Sequence, residues 1–167
     1  ASLLPFLNFR VLRMAGDEKV YLSQAVEMAR NDVWFVQTIA DEPSYFKGPL
    51  HYILIRIGIL CFGNQVIAGL WMNWIFVFLM GLALYKLGRK YFDENAALLL
   101  GTASALNIGV VSHAYVSQME VEVCAFYAFA MWALTKSSGY KRPGFKTDSL
   151  FWLFAATAGW TKSPVHS

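Results

Sequence analysis

Charge is scarce in this chain. Asp, Glu, Lys and Arg make up 15% of its 167 residues, against about 25% in ordinary soluble domains. Hydrophobic residues make up 57%, more than one small core can bury, and the excess points to a membrane protein. The net charge is only +3. No stretch combines dense Lys and Arg with exposed aromatics, which argues against a nucleic-acid surface. Cysteine is scarce too. Cys61 and Cys124 sit in apolar runs without metal-ligand spacing and read as small buried hydrophobes. The three histidines, His51, His113 and His166, form no ligand cluster and read as interfacial or packing residues. No repeat and no low-complexity tract is present. "GLALYKLGRK" does not match a phosphate-cradling glycine loop.

What the chain does have is long uncharged runs. "VIAGLWMNWIFVFLMGLALY" carries no charge over about twenty residues, the length that crosses a bilayer as a helix. "NAALLLGTASALNIGVVSHAYVSQM" is a second such run, with small residues suited to close helix packing. "VCAFYAFAMWALT" and "SLFWLFAATAGWT" are shorter candidates. The expected transmembrane helices therefore cover 66–88, 95–118, 120–136 and 149–163, with 1–10 as the end of an earlier span. The fold class is all-α, a polytopic membrane protein with about four to five transmembrane helices. The opening "ASLLPFLNF" reads as the tail of a helix, and "TKSPVHS" closes no element, so an N-terminal piece of a longer protein, inactive alone, is expected.

The short loops around Arg89 and Lys141 are basic, so both are expected on the cytoplasmic side. Counting crossings then puts Asp17, Glu18, "YFKGPLHY", Glu120 and Lys162 together on the outer side. The outer segment 11–64 is too apolar for a free loop and too charged to span. From 19 to 31, helical projection gathers Tyr21, Leu22, Ala25, Met28 and Ala29 on one face and Lys19, Ser23, Glu27 and Arg30 on the other, the pattern of an interfacial helix. "PLHYILIRIGILCF" opens with a proline and reads as a second interfacial or partly inserted helix, and "NDVWFVQTIADEPSYFKG" as a loop.

The stretch from "GDEKVYLSQAVEMARND" to "YFKGPLHYILIRIGILCFGN" resembles the first outer loop of the C-type (GT-C) membrane glycosyltransferases, in the branch of aminoarabinose transferases acting on lipid A and of protein O-mannosyltransferases. The likeness rests on Asp17, Glu18, Tyr21, Trp34, Tyr45, Lys47, Pro49, Leu50, Phe62 and Gly63, taken in order. "YKLGRKYFDENAALLLG" resembles that family's first cytoplasmic turn, and "GWTKSPVHS" its Lys-Gly-Pro segment. Glu120 falls where the family has an acid at a helix start. Phe46 stands where many relatives have Glu, and Gly48 replaces the first residue of a Pro-Pro pair.

The resemblance implies a glycosyltransferase that moves a sugar from a polyprenyl-phosphate donor to a lipid, glycan or protein acceptor, by inverting direct displacement. It implies Asp17 as the base that takes the acceptor's proton, with Glu18 supporting it. It implies Lys47 and Lys162 as cations for the lipid-phosphate leaving group, with Tyr21, Tyr45 and Glu120 as supporting residues. No residue is assigned as a metal ligand. No cofactor is certain, and a divalent metal is admitted. Membrane lipids are expected partners and nucleic acid is not. The expected location is an inner membrane of bacterial type, with the site facing the periplasm or exterior.

Each of these residues has a plainer explanation. Asp17 is a good N-cap, Glu18 a solvated first-turn acid, and the lysines can snorkel to headgroups. A multi-pass transporter or a non-catalytic membrane assembly subunit remains as an alternative. A transporter would more often bury its charges near the midplane, where the two longest runs carry none.

The orientation is open to labelling. In a chain freed of Cys61 and Cys124, a membrane-impermeant thiol reagent should modify Ser44→Cys and not Ser138→Cys in intact cells. The reverse pattern would remove the proposed residues from the outer face.

Overall fold

The computed structural model describes residues 17–39, 42–45, 47–136 and 145–162. The expected helix tail at 1–10, the basic turn at 137–144, Phe46, Ser163 and His166 lie outside the described residues. The order of elements is α1 (Glu18–Arg30), β1 (Gln37–Ile39), β2 (Glu42–Ser44), α2 (Leu50–Phe62), α3 (Gln65–Gly88), α4 (Glu94–Ala105), α5 (Ile108–Ala114), α6 (Glu120–Lys136) and α7 (Phe145–Thr161). The architecture is all-α apart from the two three-residue strands. These pair antiparallel, with Gln37 opposite Ser44 and Ile39 opposite Glu42, where the sequence reads as an unstructured loop. The ribbon supplies each segment's backbone with partners that a bare loop would have to find in water.

α3 is the axis of the fold, with α2, α4 and α6 packed around it and α7 against α6. Its start is set by Asn64, whose side chain accepts from the backbone N–H groups of Val66 and Ile67 at 2.9 and 3.1 Å. Its 24 residues rise about 36 Å, enough for the hydrocarbon core of a bilayer. By length and composition α3 meets the requirement for a span alone, and α4 with α5 meets it as a bent pair. The run 95–118 is therefore not one straight helix. It bends by 47°, because Asn107 leaves helical backbone geometry and its side chain caps α5 through the Gly109 N–H at 2.9 Å. α6 and α7 have 17 residues each, at the short end of what crosses a bilayer.

The apolar face foreseen on α1 is the face that is buried. Tyr21, Leu22, Ala25 and Met28 pack with Tyr52 and Ile55 of α2, Ala68 and Met72 of α3, and Met119. That stripe is occupied by protein, so α1 lies on the helix bundle through the same residues that could have faced lipid. α2 holds the preceding loop through Arg56. The guanidinium is buried, pairs with Asp32, donates to the Val33 carbonyl and lies 3.8 Å from the Trp34 ring centre. The cysteines depart from expectation: Cys61 and Cys124 are both exposed. Cys61 ends α2 and Cys124 turns away from the α3 side of α6, which Ala125 and Ala128 occupy.

α3 and α4 approach through small residues. A methyl group at Gly101 would stand 2.7 Å from the Gly81 carbonyl oxygen and 2.9 Å from Tyr85 Cβ. Backbone against backbone cannot give way cheaply, so Gly101→Ala should cost about 1–3 kcal/mol and lower the thermal unfolding temperature in detergent. Gly159→Ala is the control. It meets nothing within 4 Å, and the better helix former should leave stability unchanged or raise it. Equal behaviour of the two variants would refute the close-packed seam.

Candidate functional site

Asp17 stands at the head of α1, but it does not cap the helix. Its backbone is already helical (φ −66°, ψ −20°) and its side chain makes no cap hydrogen bond. Its carboxylate accepts instead from the Tyr21 hydroxyl, one turn on, at 3.3 Å. Tyr21 is 8% exposed. Burial pushes its hydroxyl up to about 12, and the negative charges of Asp17, Glu120 and Glu18 push in the same direction. At neutral pH the phenol therefore stays a donor to Asp17. Asp17 and Glu18 at the head of α1 and Glu120 at the start of α6 are thus near enough for their charges to act on one hydroxyl.

The two acids of the pair have opposite surroundings. Asp17 is exposed, while Glu18 is 4% exposed. The plain reading of Glu18 as a solvated first-turn acid does not hold. Its Oε1 accepts from Gln118 Nε2 at 3.2 Å, and its Oε2 is buried without a hydrogen-bond partner. Gln118 in turn contacts His113, with Nδ1 and Oε1 2.7 Å apart. Glu120, two residues further on, is paired with Lys162 at 2.9 Å across the ends of α6 and α7.

Lys47 comes into the neighbourhood through the residue after it. A Cβ at Gly48 would stand 1.7 Å from the Trp160 carbonyl oxygen. Only glycine lets this segment lie on the last turn of α7, two residues before Lys162. The replacement of a proline at this position thus has a steric reason. Lys47 is half-buried. Tyr45 is 79% exposed and does not join the cluster. Of the seven residues singled out in the sequence, the fold gathers Asp17, Glu18, Tyr21, Glu120 and Lys162, and brings Lys47 to the same end of α7. Among the described residues no group of three or more His, Cys, Asp or Glu side chains is arranged to hold a metal ion.

Sequence reasoning missed the partner of His51. Its Nδ1 lies 2.7 Å from Glu122 Oε1, with both side chains fully buried. Tyr21 and Tyr52 meet the His51 ring edge-on, with centroids 5.7 and 6.0 Å away. The available signal was Glu122 itself. It stands two residues after Glu120, hence on a different face of the helix, and an acid inside an apolar run needs a partner. Asn73, buried in α3, was missed as well. Its amide donates to the carbonyls of His113 and Val116 and so holds the turn that carries Gln118 and Glu120.

The family model for dolichyl-phosphate-mannose-protein mannosyltransferases matches residues 41–162. The match includes Lys47, Glu120 and Lys162 and begins after α1, which carries Asp17, Glu18 and Tyr21. No curated protein matches the chain. No solved structure matches it either.

The buried pair makes a stability prediction. Glu122→Ala leaves the His51 ring without its partner in a site closed to water, at a cost of about 1–3 kcal/mol for the unpaired group, plus a cavity. The thermal unfolding temperature in detergent should fall, whereas Glu120→Ala, which breaks a half-exposed pair, should move it little. Equal effects of the two would mean that the His51 contact does not hold the segment before α3 in place.

Proposed function

From a chain that belongs to the dolichyl-phosphate-mannose-protein mannosyltransferase family, we propose an inverting transfer with Asp17 as the base. Membership follows from a family match over well more than half the chain, and it makes this an all-α membrane glycosyltransferase that draws on a polyprenyl-phosphate sugar. The observation that carries the finer reading is the Asp17–Tyr21 hydrogen bond beside Glu18 and the Glu120–Lys162 pair.

In this reading the acceptor's hydroxyl oxygen attacks the anomeric carbon of the donor. Its proton passes to Asp17 as the new bond forms. The bond from that carbon to the phosphate oxygen breaks, and the electron pair leaves with the polyprenyl phosphate. One displacement inverts the anomeric centre. Tyr21 holds one carboxylate oxygen of Asp17 and leaves the other for the acceptor. Its own high proton affinity keeps it from competing as a base. The charge growing on the phosphate calls for a fixed cation. Lys47 suits this role, and Lys162 contributes while it also carries Glu120. The donor's lipid tail stays in the bilayer, so the site belongs at a membrane face, which we take to be the outer one. The acceptor class, whether lipid, glycan or protein, is left open by this chemistry, as is a divalent metal.

Transfer from a polyprenyl-phosphate mannose by the full-length protein in membranes tests the assignment. Asp17→Asn keeps the size of the side chain and its bond from Tyr21, and there is no cap bond to lose. It should reduce turnover about 100- to 10,000-fold at unchanged expression. Lys47→Met should fall on a comparable scale while keeping the apolar stem. Glu18→Gln, which can still accept from Gln118, should be milder. Near-wild-type turnover in Asp17→Asn would overturn the assignment of the base.

A further inference from the structure

Glu120 and Lys136 stand at opposite ends of α6, about 24 Å apart along its axis. The Lys136 end, remote from Asp17, carries charges that the transfer does not use. Lys86 of α3 and Lys136 both lie over the Trp132 ring, with Nζ 5.0 and 4.3 Å from its centre. Two ammonium groups are thus held close on one ring, and both lysines are exposed. The acids nearby are taken. Asp93 caps α4 through the Ala96 N–H at 2.8 Å, and Glu94 pairs with Arg89 at 2.8 Å. Asp148 is engaged as well. Among the described residues no ion pair includes Lys86 or Lys136, and the sequence from 137 to 147 holds no acid. A helix C-terminus favours a cation, but the Thr135 carbonyl at the end of α6 already accepts from Lys90. The face of the Trp132 ring attracts both cations without neutralising either.

Lys86 also tops an apolar groove. Phe78, Leu82 and Lys86 recur every four residues, on one face of α3 over about 12 Å. Phe78 and Leu82 line a groove of about 220 Å³ between α3 and α4, with Tyr85, Leu98 and Thr102. Phe78 and Leu98 are exposed. In the turn after α3, Tyr91 and Phe92 are exposed beside Lys90, as aromatic residues are where headgroups meet hydrocarbon. We propose that the Lys86–Lys136 pair and this groove bind one anionic phospholipid, its phosphate between the two ammonium groups and one acyl chain in the groove. The cations call for an anion, and the groove beneath Lys86 calls for a hydrocarbon chain on the same molecule. A free phosphate would leave the groove unfilled. A zwitterionic headgroup would bring a third cation to the pair. The polyprenyl-phosphate donor has the right two ends, but its phosphate belongs at the other end of α6, with Lys162. The site draws on the chain's being a membrane protein and not on the assignment of the base.

Native mass spectrometry of the full-length protein, released from detergent, tests the site. Palmitoyl-oleoyl phosphatidylglycerol should be retained in preference to the phosphatidylcholine with the same chains. Glycerophosphoglycerol, the headgroup without chains, and inorganic phosphate should not be retained at the same concentration. Lys86→Gln with Lys136→Gln should weaken the preference about 25-fold, about 5-fold for each lysine. Both side chains are exposed, so the fold should survive. Lys19→Gln with Arg30→Gln removes the same charge from the exposed face of α1 and should leave the preference unchanged. Equal retention of the two phospholipids overturns the proposal. So does no retention of either, the result expected if another helix of the full-length protein covers the groove. An equal loss in the two double variants would mean attraction by net charge alone and overturns it, as does binding of glycerophosphoglycerol as tight as that of the lipid. Retention of a polyprenyl phosphate that falls more in Lys86→Gln with Lys136→Gln than retention of phosphatidylglycerol does would give the site to the donor lipid, and overturns the proposal too.

Discussion

The His51–Glu122 contact is the constraint on which the segment before α3 depends. It joins α2 to α6 across a distance of 71 residues in sequence, at a place closed to water. A polar pair in such a place has few alternative partners, so it specifies one docking of the two helices where apolar contacts would allow several. Tyr21 and Tyr52 pack on the His51 ring, and Tyr21 carries Asp17. The position of the exposed carboxylate is thus referred back to a buried one through two rings. The cost is visible in the orphaned atoms, His51 Nε2 and Glu122 Oε2, which have no hydrogen-bond partner. Sites of chemistry are where such local costs are expected to persist.

The site combines two kinds of support. α1 rests on a continuous apolar floor made by α2 and α3, which fixes the backbone at Asp17. The turn between α5 and α6 sinks Met119 into that same floor. It is also held by polar groups, with Asn73 reaching out of α3 to two of its carbonyls. The family match covers the turn, the α7 end and the Lys47 segment and begins after α1, so Asp17, the base we propose, lies outside the shared pattern.

Much of this was legible in the sequence because periodicity reports burial. The stripe Tyr21, Leu22, Ala25 and Met28 was readable from spacing alone, and it is the stripe that packs. α3 was readable from its uncharged run, and the acid at the head of α6 from Glu120; the cap at Asn64 was not read. The failures share a cause. Burial of Glu18 and the pairing of Glu122 depend on partners 100 and 71 residues away, and no local pattern carries such information. The bend at Asn107 was concealed because the hydrophobic run continues through it, and hydropathy does not record backbone direction. The cap role of Asp17 failed for a subtler reason. The chain enters α1 with helical geometry one residue early, so the side chain is turned to Tyr21 rather than to the helix end.

The contact of Gly48 with the Trp160 carbonyl has a mechanical consequence. There is no side chain to compress between the two backbones, so the segment before α2 cannot move closer to the end of α7 without a clash. The spacing of the backbones at 47 and 162 therefore has a floor set by main-chain atoms, and any side chain at position 48 would prise them apart.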